Sequence, residues 1–236
     1  ANHVAVLIEH HAATLLLDTS LGRQVDQQFE SQMPWYDKPL LRYGQVTPVR
    51  DQLDRDGIRI DRILLTHSHW DHASGLADFP EVPVWAPYEE IEFSRIATPP
   101  AVLPSQFAHA IRWVPFQFAA QPFMGFEYSH DLFGDGSLVL VPMQGHTPGS
   151  VGLFLTLDDG RRFFFTGDTS WRLEGFTGPR EKFWLSKRMV DNDPEGTRGQ
   201  LAKVHRLLQE QPQLRVIPAH DEAVQRQLGY YPKWVE

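Results

Sequence analysis

The sequence has no cysteine in its 236 residues. That excludes disulfides and thiolate metal ligands, so a metal site here must be built from imidazole and carboxylate. It leaves the compartment open, because a cysteine-free protein tolerates either redox state. Long apolar runs are also missing, and none reaches the ~20 residues that span a bilayer. The opening residues, Ala1-Asn2-His3-Val4-Ala5, lack the basic flank and apolar core of a secretory leader. A leader removed earlier would leave no trace, so a cytoplasmic location is favoured and a periplasmic one stays open. Basic clusters are scarce. Beyond pairs such as Arg161-Arg162 and Lys187-Arg188, Lys and Arg are dispersed in a chain of formal net charge −8. Nucleic-acid enzymes need basic surface to pair phosphates, so neither nucleic acid nor a membrane is an expected partner. Repeats, low-complexity tracts and linkers are absent.

What is present suits a globular protein. Hydrophobic residues make up 42% and charged residues 22%, ordinary values, and the length suits a single large domain over residues 1 to 236 with ample core. Val4 to Asp18 reads as two strands joined at His10-His11-Ala12. Arg23 to Gln45 has no clear periodicity. Its aromatic and sulfur side chains, among them Met33 and Trp35, could line a lid over a site or pack the loop onto the core. Thr47-Pro48 starts a helix that Gly57 ends. Val82 to Ala86 is a short strand, and Pro87-Tyr88 opens a helix. Thr98 to Gly125 is proline-rich and irregular, with one alternating stretch, Trp113 to Phe118. Ser137 to Met143 is a strand, Val151 to Leu157 and Arg162 to Phe165 form a hairpin, and Asp193 caps a helix to about Glu210. Leu201, Val204, Leu207 and Leu208 lie on that helix's buried side. Leu214 to Pro218 is the last strand.

The densest chemistry is Thr66-His67-Ser68-His69-Trp70-Asp71-His72, four metal-capable side chains within six residues. It follows the apolar run Arg59 to Leu65, which reads as a buried strand. The cluster therefore sits on a loop at a strand's C-terminal end, where open α/β sheets place their sites. Side chains alternate in extended backbone, so His67 and His69 point the same way and can clamp one ion. A turn after Trp70 redirects Asp71 and His72 toward a second. Imidazole suits Zn, Fe and Ni, and the carboxylate hardens the second position. His109 and His130 fit no ligand motif.

The H-x-H-x-D-H pattern resembles the signature of the metallo-β-lactamase superfamily, hydrolases built as an α/β, four-layer αββα sandwich around one or two metals. Three further segments match in order, each after an apolar run: Gln144-Gly145-His146-Thr147-Pro148-Gly149, then Phe165-Thr166-Gly167-Asp168-Thr169, then Ile217-Pro218-Ala219-His220-Asp221. Asp18-Thr19-Ser20 resembles the superfamily's D-T-G turn, with Ser20 where glycine is usual. Relatives usually carry one more strand ahead of the first hairpin, so an N-terminal strand is expected to be wanting here. The resemblance implies that His67, His69 and His146 hold one divalent ion and that Asp71, His72 and His220 hold a second, with Asp168 bridging. Two divalent metal ions are expected, Zn2+ first, with Fe or Mn as alternatives. They would share a hydroxide that attacks an electrophilic carbonyl, with Asp71 also carrying a proton to the leaving group.

Within the superfamily the sequence is most similar to the N-acyl-homoserine lactonase group, through Gly145-His146-Thr147-Pro148-Gly149-Ser150 and the short tail after His220. One departure stands out. Those lactonases commonly place Tyr three residues after the bridging Asp, and here Trp171 occupies that position. Its indole N–H can donate but cannot accept or ionise. The expected partner is a small molecule with an apolar portion, contacted by Trp70, Trp171, Met33 and Trp35, although Trp70 could equally be a packing residue. A homodimer stays open. Phosphotriester hydrolysis and thioester hydrolysis are the alternatives of the same fold. A non-catalytic metal-binding module is the alternative of another class.

Overall fold

The N-terminal hairpin forms because Val6, Ile8 and Leu15 to Leu17 are β-branched or leucine residues on either side of the exposed two-residue turn His11-Ala12. Its strands are β1, Val6–His10, and β2, Ala13–Leu17, paired antiparallel with Val6 opposite Leu17. In the computed structural model, which describes residues 2 to 235, three parallel strands extend this hairpin: β3, Arg62–Leu64, β4, Val84–Pro87, and β5, Trp113–Phe116. The sheet order is β1-β2-β3-β4-β5. A second five-stranded sheet runs β10-β9-β8-β7-β6, with β6 His130–Asp131, β7 Leu138–Pro142, β8 Val151–Thr156, β9 Arg162–Phe165 and β10 Arg215–Ile217. The chain divides into two compact units, residues 3 to 116 and residue 2 with residues 117 to 235, each built around one sheet.

In the unit of residues 3 to 116 the helices are α1, Val25–Gln32, α2, Val49–Asp56, α3, Trp70–Ala73, and α4, Tyr88–Ile96. Leu16, Ile63, Leu65, Val84 and Ala86 on one sheet face pack with Leu53 of α2, Ala73 of α3 and Ile91 of α4. Leu15, Leu17 and Leu64 on the opposite face are buried as well. A parallel sheet buried on both faces explains why β3 reads as a continuous apolar run rather than an alternation.

The other unit carries α5, Glu174–Thr177, α6, Trp184–Val190, α7, Pro194–Glu210, and α8, Glu222–Leu228. Leu201, Val204 and Leu207 of α7 pack on Val139, Val141, Phe154, Phe164 and Val216. Cross-strand partners Phe154 and Phe164 stack with centroids 3.9 Å apart. Such a pair contributes roughly 0.5–1.5 kcal/mol beyond the area it buries. Asp193 caps α7 by accepting from the Glu195 and Gly196 backbone N–H groups at 3.1 Å, worth about 1 kcal/mol.

Several sequence expectations need correction. Arg23 to Gln45 is not without regular structure, because α1 occupies Val25–Gln32. Its inward residues are Val25, Gln28 and Phe29, so a buried glutamine breaks the apolar period. The second helix begins at Val49, with Pro48 in the capping position, so the start lies one residue later than Thr47-Pro48 implies. β3 is confined to Arg62–Leu64 and β5 ends at Phe116, both shorter than their apolar runs. The tail after His220 forms α8, capped by the Asp221 carboxylate, which accepts from Ala223 and Val224 N–H. Leu208 is only partly buried.

Candidate metal centre

The motif loop is fixed from below by two buried carboxylates. Asp18, at the end of β2, accepts from the Thr66 backbone N–H and the Thr66 hydroxyl, both at 2.7 Å. Glu90, on α4, accepts from the Ser68 N–H and hydroxyl at 2.6 Å. Both are almost wholly buried. Burying a carboxylate is costly unless several donors satisfy it, and here the loop backbone supplies them. Asp18 and Ser20 both take positive φ, 57° and 55°, so the turn adopts the backbone usually left to glycine even though Ser stands at that place.

Within residues 3 to 116, His67, His69 and His72 converge. Potential ligand atoms of His67 and His69 lie within 4.8 Å of each other, as do those of His67 and His72. All three rings are buried. Asp71 sits in the first turn of α3, its Oδ2 3.7 Å from His72 Nε2. Within the other unit, three groups converge on Asp168 Oδ2: Trp171 Nε1 at 2.9 Å, His220 Nε2 at 3.1 Å and His146 Nε2 at 3.7 Å.

The loop bearing His146 is pinned to the start of α7. Gly145 O accepts from Asp193 N at 2.7 Å, and His146 O from Asn192 N at 3.0 Å. Gly145 has φ +140°, and a Cβ there would lie 2.3 Å from Thr197 N. Only glycine lets the loop come this close.

Four of the imidazoles share one arrangement. His72 Nδ1 is 2.8 Å from Asp18 Oδ2, His146 Nδ1 is 2.6 Å from Asp191 Oδ1, His220 Nδ1 is 2.7 Å from Asn2 O, and His67 Nδ1 is 3.0 Å from Thr66 Oγ1. An oxygen on Nδ1 sets ring orientation and, as acceptor, places the proton there, so Nε2 is the nitrogen presented to a ligand. Metal-binding histidines are typically held this way, and this donor set of neutral imidazoles and carboxylates fits divalent cations. Burial, reinforced by the Lys182 charge, pushes the His146 pKa down, outweighing Asp191 and keeping the ring neutral as a ligand must be. Burial pushes the Asp191 carboxyl up, but the His146 hydrogen bond and the Lys182 charge outweigh it and hold the group below its ordinary value.

The remaining candidates are spread differently. Trp70 and Met33 are buried in one cluster with Leu21, Val25, Phe29 and Leu103. Trp35 is 82% exposed and meets Tyr36 edge-on. Trp171 stands edge-on to His220, with centroids 6.3 Å apart. Four residues beside the candidate ligands were not singled out by the sequence: Asp18 as a partner of His72, Asp191 and Lys182 behind His146, and His3, whose Nδ1 is 3.0 Å from Asp71 Oδ2. Only Asp18 carried a signal, its place in the turn after β2.

Nδ1-held imidazoles and buried carboxylates fit divalent metal, and similarity to known proteins makes the chain a metal-dependent hydrolase. The family model of the metallo-beta-lactamase superfamily matches residues 1 to 220, and the chain belongs to that superfamily. Probable metallo-hydrolase Rv2300c of Mycobacterium tuberculosis is 27% identical over 234 residues, spanning 92% of this chain and 73% of that protein. An N-acyl homoserine lactone hydrolase, solved with N-hexanoyl-L-homoserine at its catalytic metal centre, has the same fold. It superposes with a TM-score of 0.71 at 17% identity, over 97% of this chain and 85% of that one. AidC, a dizinc quorum-quenching lactonase, gives a TM-score of 0.62 at 16% identity, over 92% of this chain and 72% of that one. Among the described residues no helix is long and apolar enough to cross a membrane.

Proposed function

We propose that this metal-dependent hydrolase opens lactones, with N-acyl-homoserine-lactone-type substrates as the class, and that it does so with two divalent ions, zinc first. His67, His69 and His146 would hold one ion, Asp71, His72 and His220 the other, and Asp168 would bridge. The observation that carries the reading is the set of oxygen partners on Nδ1 of His67, His72, His146 and His220, which prepares four rings for metal through Nε2. Neighbours of the same fold whose names specify lactone hydrolysis favour the substrate class.

When bound, two divalent cations make water a competent nucleophile at neutral pH and polarise the carbonyl under attack. The chain's own groups do the rest. Water oxygen bonds to the carbonyl carbon as its proton passes to the Asp71 carboxylate, the ring C–O bond breaks, and Asp71 returns that proton to the departing alkoxide, giving a hydroxy acid. Trp171 commits its one N–H to Asp168 Oδ2, so it steadies that carboxylate and offers its ring face, rather than a hydroxyl, to the substrate. Trp171 and the exposed Trp35 are assigned to the apolar portion of the substrate, and Trp70 and Met33, buried together in one cluster, to its support.

The test is a turnover panel of lactones, thioesters and phosphotriesters on the zinc-loaded protein. Lactones should give the highest kcat/KM. Preference for phosphotriesters or thioesters would overturn the substrate assignment, and a metal-replete protein inert to all three would favour the non-catalytic module.

A further inference from the structure

His3 has no place in the superfamily's ligand motifs, yet its side chain reaches one of their residues. Nδ1 of His3 lies 3.0 Å from Asp71 Oδ2. The two side chains are only 10% and 11% exposed, so water competes weakly for the contact. The His3 ring also packs at 53° to the Trp70 indole, with centroids 5.8 Å apart. The Trp70 backbone is held at both ends, its amide N–H donating to Ala101 O at 2.9 Å and its carbonyl accepting from Gln106 Nε2 at 3.0 Å, and its side chain is buried among Leu21, Val25, Phe29, Met33 and Leu103. The imidazole is thus seated against a rigid neighbour with its nitrogen on the carboxylate.

We propose that His3 is a positioning residue for Asp71, holding that carboxylate by an Nδ1–H donation in the orientation needed to bind metal and pass a proton. The proposal rests on the dinuclear reading given above. An aspartate's terminal torsion is broad, with little intrinsic preference for one plane. A donor on one oxygen selects the plane and so decides how the second oxygen is presented. Asp71 needs this more than an ordinary ligand, since it sits in the first turn of the four-residue helix α3 and has two tasks. The preceding residue plays a parallel part, because the Asn2 carbonyl is the oxygen on His220 Nδ1.

Two variants separate donor from ring. His3→Asn keeps an N–H close to the place of Nδ1 and discards the ring, whereas His3→Phe keeps the ring against Trp70 and discards the donor. The readouts are zinc content after dialysis against graded chelator, kcat and KM on the best substrate, and melting temperature of the metal-free protein. The expected result is that His3→Phe releases one of two zinc ions at about 10- to 100-fold lower chelator concentration and loses kcat by a similar factor. KM and the metal-free melting temperature should change little, and His3→Asn should stay within about threefold of the parent. Retention of zinc and kcat by His3→Phe, or equal losses in both variants, would overturn the proposal. A parent protein that binds no zinc would instead overturn the dinuclear reading, so the two failures are distinguishable.

Discussion

Asp191 Oδ1 stands 2.6 Å from His146 Nδ1 and 2.7 Å from the ammonium of Lys182, with all three side chains at most 2% exposed. This is a buried ion pair placed directly behind a candidate metal ligand. Removing one partner of such a pair leaves an uncompensated charge in a dry place, which costs about 3–5 kcal/mol. Asp191→Ala should therefore lower the unfolding free energy by about that amount, read from urea melts. Asp191→Asn also strips the charge opposite Lys182 and should share most of that stability loss, but it keeps an acceptor for the imidazole, so its loss of metal affinity should be the smaller of the two, within the roughly 10- to 100-fold range of such partners. Unchanged zinc affinity in both variants would show that His146 is not oriented by this carboxylate.

Trp171→Phe isolates the indole hydrogen bond. The ring wall beside His220 stays while the donor to Asp168 Oδ2 disappears. A hydrogen bond to a charged acceptor contributes about 1.5–3 kcal/mol to stability, so the unfolding free energy should fall by up to that amount, and kcat should fall as well because Asp168 loses the donor that steadies it. Steady-state kinetics on the two proteins decide it. An unaltered kcat would make Trp171 a wall alone.

Gly145→Ala should be among the most damaging single-methyl changes in the chain. The new Cβ would sit 2.3 Å from Thr197 N, against backbone at the start of α7 that cannot step aside. A loss of about 2 kcal/mol or more is expected, together with weakened metal binding because His146 is the next residue. Denaturant unfolding and zinc titration of the variant check both.

Asp78 tests the electrostatics away from the centre. Burial pushes its carboxyl above the ordinary value, against the Arg23 N–H at 3.0 Å and the charges of Arg23 and Arg50. A folded-state pKa above the unfolded one means that the charged form destabilises the fold at neutral pH, and that this penalty fades as pH falls through the folded pKa. Asp78→Asn should raise the melting temperature slightly at pH 7, with the gain shrinking toward pH ~4. A gain that grows on acidification would reverse the sign.

The order of the candidate ligands was legible because each histidine or aspartate follows an apolar run that the folding chain buries as a strand: β3 before His67, β7 before His146, β9 before Asp168, β10 before His220. The oxygens that orient them were not. Asp18 lies 54 positions from His72, and Asp191 45 positions from His146, so no local pattern links either pair. Helix α1 was hidden for a different reason, since Gln28 takes a buried position on its inward face. Boundaries slipped wherever an apolar run outlasted its hydrogen-bonded partner, as with Arg59 to Leu65 around β3.

The most direct test of the central claim is anomalous diffraction at the zinc edge from crystals of the zinc-loaded protein. The account predicts two peaks, one coordinated by His67, His69 and His146, the other by Asp71, His72 and His220, with Asp168 reaching both. A single peak, or zinc bound away from these seven side chains, would contradict it.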